Sequence, residues 1–198
     1  MSDAPLTRPP IALASLLVVG GLLGLLAAFS LTMDEILLLK DPDAGLTCNV
    51  NTYLQCGANI QSPQGSVFGF PNPLLGLMCF PAPVAVGVAL LARARFSAWF
   101  WWLFDAGMTF AIVFVFWLAF QSIFVIGTLC PWCALVYLVV VPMWTAVTVR
   151  NLGAGLAGAT LQRVGQALAW WVPLISLGGL LVIFGAAQAH LDILGSLF

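Results

Sequence analysis

Residues 106–149 carry no formal charge. No soluble domain sustains such a run, whereas a hydrocarbon layer about 30 Å thick demands roughly 20 apolar residues for each helical crossing. The stretch holds two crossings joined by a tight turn, which Gly127 and Thr128 mark. Of the 198 residues 62% are hydrophobic and 7% charged, where an ordinary soluble domain carries about 25% charged residues. The pattern predicts an all-α polytopic membrane protein. Its spans lie at about 11–31, 73–92, 99–126, 130–149 and 167–189, with a long outer loop at 32–72. The first apolar run exceeds the 7–15-residue core of a cleaved secretory leader and reads as a retained helix. Gly153, Gly155 and Gly158 mark 152–168 as a loose connector, and the whole of 1–198 reads as one domain.

The charges orient the threading. Six Lys plus Arg, seven Asp plus Glu and one His leave no basic surface for a run of phosphates, which excludes nucleic-acid binding. Arg8, Arg93, Arg95, Arg150 and Arg163 all fall on one side when the spans alternate, and that side is expected to be cytoplasmic. The other side holds the 32–72 loop, with Asp34, Glu35, Asp41 and Asp43 against Lys40 alone.

The single His excludes bis-histidine haem and His-rich metal sites, leaving five cysteines to carry chemistry. Cys48 and Cys56 form C-x7-C in the outer loop, and Cys130-Pro-Trp-Cys133 stands at the outer mouth of the fourth span. Both pairs face the oxidising side, where disulfides persist. Pro131 suits the first helical position, so Cys130 falls at the cap, where the positive helix end favours its thiolate. Tyr137 follows Cys133 by four residues and Cys130 by seven, so the three share one helical stripe. A phenol there either hydrogen-bonds a ligand carbonyl or is an interfacial aromatic. Cys79, among Leu77, Met78 and Phe80, reads as a small buried hydrophobe.

Two dithiols on one face permit a relay, because exchange needs only sulfur-to-sulfur approach. The loop is long enough to bring Cys56 down to Cys130. No Gly-rich dinucleotide turn is present, so a lipid-soluble quinone is the natural two-electron acceptor. Two static disulfides or a four-cysteine zinc site remain as alternatives at this point, although C-x7-C is a poor zinc spacing.

These motifs resemble the vitamin K epoxide reductase family in its bacterial, actinobacterial-type form. The resemblance covers most of 10–150: Cys48-x7-Cys56, Ser62, the stretch Ser66-Val-Phe-Gly-Phe-Pro-Asn72, the run Trp117–Gly127, and Cys130-Pro-Trp-Cys133 with Tyr137 one turn below. It implies a four-helix bundle around a quinone pocket, with the fifth helix that this branch adds. It also implies that Cys130 and Cys133 are the active pair, with Cys133 next to the quinone ring. Cys48 would meet the partner, and Cys56 would pass electrons to Cys130. Asn72 and Tyr137 match positions that hydrogen-bond the quinone oxygens, and Ser62 matches a serine that holds the loop over the site. No thioredoxin domain is fused in 150–198, so the expected partner is a separate, soluble DsbA-like protein of thioredoxin fold, and the expected acceptor is menaquinone or a related quinone. The implied location is the bacterial cell membrane, with the N-terminus cytoplasmic and the cysteines extracytoplasmic. A DsbB-type quinone-linked oxidase is the neighbouring alternative, and no metal ligand set is expected.

Among other residues, Trp99, Trp101 and Trp102 read as an interfacial belt. Asp105 lies two turns inside a span and is expected to pair with Arg93 or Arg95. Pro81, Pro83 and Pro142 are expected to kink or open their helices. His190 reads as a solvated helix cap.

Overall fold

A computed structural model describes residues 11–156 and 158–192. Arg8 therefore lies outside the described residues. The elements are α1 (Ile11–Lys40), α2 (Gly57–Ile60), α3 (Asn72–Cys79), α4 (Pro81–Leu91), α5 (Ala98–Phe120), α6 (Pro131–Gly153), α7 (Ala159–Leu168) and α8 (Val172–Leu191). Short 3-10 turns at Pro63–Ser66 and Ala169–Trp171 and a π-helical turn at Gln121–Ile126 fill the joints. Among the described residues five helical stretches are long and apolar enough to cross a membrane: Ile11–Lys40, Asn72–Leu91, Ala98–Ile126, Pro131–Gly153 and Ala159–Leu191. The chain is an all-α, polytopic membrane protein.

Helix α6 is the hub, packed by α1, α5, α7 and α8, while α1 is held between α6 and α4. Leu17, Ile112, Val115, Met143 and Val147 fill the centre. The outward faces instead expose Val19, Leu22, Phe29, Leu103, Val113, Leu177 and Leu181, an apolar surface suited to lipid rather than water. Small residues let α1 and α4 approach closely, the usual solution where no water drives helices together. A Cβ on Gly24 would meet the Phe80 ring, and one on Gly87 would sit 2.7 Å from the Ala14 carbonyl oxygen. Phe80 separates α3 from α4, and Pro81 opens the second of them, whereas Pro83 and Pro142, also expected to open their helices, lie inside α4 and α6.

Several expectations need correction. Helix α1 continues past Leu31 to Lys40, so Asp34 and Glu35 stand on a helix and the outer loop begins at Asp41. The connector after Gly153 contains the helix α7, folded back so that Gly165 lies against Gly153. Asp105 bonds to neither Arg93 nor Arg95. Its carboxylate accepts hydrogen bonds from Thr148 Oγ1 (2.7 Å) and Asn151 Nδ2 (3.2 Å), fastening α5 to α6. Trp101 is buried rather than part of a belt, with the Arg150 guanidinium 3.5 Å from its ring centroid, while Trp99 and Trp102 are exposed. Cys79 is exposed along the cavity described next, not buried.

Candidate active site

The turn that sequence places at Gly127 and Thr128 builds the floor of the site. Gly127 adopts φ 78°, the left-handed conformation that favours glycine, and its amide and that of Thr128 both donate to Ser122 O. The chain then runs extended for one residue and pairs with the outer loop. Leu129 N donates to Tyr53 O at 2.7 Å, and Gln55 N donates to Leu129 O at 3.2 Å. Asn59 Nδ2 adds a bond to Thr128 Oγ1 at 2.8 Å. Inside the loop, Asn49 Oδ1 accepts from Cys56 N and Gly57 N, fixing the start of α2. These bonds leave Cys56 over the start of α6.

Cys48 and Cys56 form a disulfide, and Cys130 and Cys133 are free thiols. Sγ of Cys130 lies 3.2 Å from Sγ of Cys56. Both of these residues are 0% exposed, enclosed with Leu31, Leu38, Leu46, Trp132 and Ile60. Cys130 is the N-cap of α6, with Pro131 at the first helical position, and its Sγ accepts from Cys133 N at 3.3 Å. Burial pushes its thiol up, but hydrogen bonds from the Cys133 side chain and from the backbone amides of Cys133 and Trp132 outweigh burial and hold it below its ordinary value. Cys48 is nearly sealed, yet it and Trp132 line a shallow recess of about 270 Å³ with Val50 and Pro131.

Beneath the cysteines a cavity of about 900 Å³ separates α3 and α4 from α5. Its polar end carries Cys130, Cys133, Tyr137, Ser62, Asn72, Asn59 and Glu35, and its long remainder is apolar, lined by Phe80, Val86, Phe104, Met108 and Phe114. Tyr137 is 1% exposed, and its side chain lines the polar end of the cavity. Asn72 begins α3 and clasps the loop, its Nδ2 donating to Gln64 O at 2.6 Å and its Oδ1 accepting from Val67 N. Ser62 Oγ donates to Asn59 O at 2.8 Å, tying the 3-10 turn to α2. The structure thus gathers all seven residues singled out in the sequence at one end of the bundle. It also adds Asp34, whose Oδ2 lies 3.3 Å from Cys48 Sγ, and Asn49 and Asn59, which hold the loop. Nothing in the local sequence signals Asp34, because its role depends on α1 outlasting its apolar stretch.

The fold and this end of the bundle define a helical membrane protein in which one cysteine pair, already bonded, touches another that is free. Residues 15–148 match the vitamin K epoxide reductase family, and with well over half of its length covered the chain belongs to that family. No curated protein and no solved structure matches the chain. Family membership makes the protein a membrane oxidoreductase of thiol–disulfide chemistry, in a family whose enzymes use quinones. The cavity fits such a group: it is large and apolar, with polar side chains only at the end that carries the free cysteines.

Proposed function

We propose that the protein reoxidises a soluble, DsbA-like protein of thioredoxin fold at the extracytoplasmic face of a bacterial cell membrane. Electrons pass through Cys48 and Cys56 to Cys130 and Cys133 and leave to a lipid quinone, menaquinone or a related one. The observation that carries this reading is the 3.2 Å approach of Cys130 Sγ to Cys56 Sγ. That is the reach at which a thiolate attacks a disulfide, and two static disulfides would have no use for it.

The residues divide the work. A partner thiolate attacks Cys48 from the shallow recess, and Cys56 leaves with the electron pair. The Cys56 thiolate attacks Cys130 of an oxidised inner pair, forming the Cys56–Cys130 bond and releasing Cys133 as thiolate beside the cavity. The partner's second thiolate attacks its own sulfur bonded to Cys48, so the partner leaves with its disulfide and Cys48 is freed as a thiol. Cys48 then closes on Cys56, and Cys130 departs as a thiolate held by the amides at the start of α6. When bound, the quinone supplies the acceptor for two electrons and two protons. Tyr137 presents its phenol to the polar end of the cavity, Asn72 keeps loop and rim together while offering its amide there, and Ser62 braces the loop above.

Orientation is supported by charge. The helix connections put Arg93, Arg95, Arg150 and Arg163 at the end of the bundle remote from the cysteines, the distribution of basic residues characteristic of a cytoplasmic face. The N-terminus of α1 shares that end.

The test uses the purified protein, a reduced thioredoxin-fold protein and a water-soluble naphthoquinone. Wild type is expected to oxidise the dithiol protein only when the quinone is present. Cys133→Ala is expected to stop turnover and to accumulate a Cys56–Cys130 disulfide, identified by peptide mapping. Turnover that survives Cys133→Ala overturns the proposal.

A further inference from the structure

The relay moves electrons, but every thiol it consumes must also give up a proton. Cys130 has donors arranged around its sulfur; for Cys48 no amide points at Sγ among the described residues. Its polar neighbour is a carboxyl group, Asp34 Oδ2, at 3.3 Å. Asp34 belongs to the part of α1 that rises above its apolar stretch, and it is partly exposed, so it touches both the sulfur and the aqueous side. Resting on the relay described above, we propose that Asp34 is a catalytic residue, the proton acceptor that makes Cys48 a nucleophile when the loop disulfide closes.

The step balances. In the intermediate with Cys56 bonded to Cys130, the Cys48 thiol donates a hydrogen bond to the Asp34 carboxylate. The proton moves to Asp34 as Cys48 Sγ attacks Cys56 Sγ. The Cys48–Cys56 bond forms, the Cys56–Cys130 bond breaks, and the electron pair leaves on Cys130 Sγ, where the α6 amides receive it. The loop pair is oxidised by two electrons and the inner pair is reduced by two. Asp34, now neutral, hands its proton to water. The arrangement in the structure is the product of this step: loop disulfide closed, Cys130 released at 3.2 Å, and a carboxyl oxygen against Cys48. A closed disulfide has no proton to give, so that contact is a hydrogen bond only when the carboxyl is the protonated partner.

The same geometry forms a group of Asp34, Cys48 and Cys56 whose ligand-type atoms all lie within 4.8 Å of one another. The titratable groups facing Asp34 are Cys48 and Cys56 from the loop and Cys130 from the start of α6, with Glu35 beside it on α1. Glu35 lines the cavity instead.

The experiment is a single turnover with fully reduced, full-length protein. A water-soluble naphthoquinone is added, thiols are quenched by alkylation at timed intervals, and the Cys130–Cys133, Cys56–Cys130 and Cys48–Cys56 disulfides are mapped. An unassisted thiol with a pKa of about 8.5 is only about 3% thiolate at pH 7. Asp34→Asn is therefore expected to slow closure of Cys48–Cys56 by about ten- to thirtyfold at pH 7, with the Cys56–Cys130 species accumulating. At pH 9.5, where the thiol ionises unaided, the variant is expected to return to within about twofold of wild type. Asp34→Glu, which keeps a carboxylate, is expected to retain most of the pH 7 rate. Closure at the wild-type rate in Asp34→Asn at pH 7 overturns the proposal. So does a slowing that persists undiminished at pH 9.5, which would mark Asp34 as a scaffold residue. A wild-type inner pair that the quinone fails to oxidise would instead overturn the relay itself, a different failure visible in the same maps.

Discussion

Removing one oxygen atom tests the cavity. In Tyr137→Phe the ring stays packed, since Tyr137 is 1% exposed within the core, and the missing hydroxyl is one that borders the cavity. The penalty therefore falls on whatever occupies the cavity. A quinone oxygen left unpaired in that apolar surround loses about 1–3 kcal/mol, which corresponds to a rise of about 5- to 150-fold in the quinone concentration needed for half-maximal rate. The assay is steady-state oxidation of a reduced thioredoxin-fold protein across a quinone titration, paired with thermal unfolding of both proteins in the same detergent. The expected result is a raised KM for quinone at an unchanged melting temperature, with Cys56–Cys130 exchange intact. A KM within about twofold of wild type would refute the assignment of the phenol to the quinone and return Tyr137 to a packing role.

Two further outcomes follow from the geometry. Because amide and thiol donors hold the Cys130 thiol below its ordinary value, its thiolate is expected to persist as pH falls through the range in which an unperturbed thiol takes up its proton. The ultraviolet thiolate signal that disappears in Cys130→Ser is expected to titrate below about 8.5, and a midpoint at or above that value would contradict the cap. Gly87→Val would drive a side chain into the backbone of α1, 2.7 Å from Ala14 O and 2.9 Å from Val18 N. With overpacking costs of about 1–3 kcal/mol, the melting temperature is expected to drop by about 2–10 °C. Gly185→Ala, with nothing within 4 Å, is the control, and equal melting temperatures would refute the α1–α4 contact.

Hydropathy made the five crossings legible, because length without charge is the demand lipid imposes and little else satisfies it. Charge misled where it marked something other than a loop. Asp34 and Glu35 looked like the end of α1, yet a helix leaving lipid keeps its backbone bonded and has no reason to stop, so it runs on to Lys40. Asp105 looked for an arginine nearby in sequence, but its partners Thr148 and Asn151 arrive from α6, across a packing that only the fold creates. The glycines after Gly153 hid α7, since Gly165 is there to allow close approach to Gly153 rather than to loosen the chain. At the site, spacing identified the cysteine pairs and the Cys130 cap. The pairing of Leu54 with Leu129 that brings the two pairs together is a contact between short irregular segments with no periodicity to read.

Cys56 and Cys130 have no surface open to solvent, and Cys48, nearly sealed, lines a dent beside Trp132. Such shielding insulates the conductor. Under the proposed relay a small dissolved thiol would find Cys56 and Cys130 closed to it, which would keep oxidising power from leaking into the general thiol pool. The contour of the dent beside Cys48 would then help to choose the partner that the relay serves.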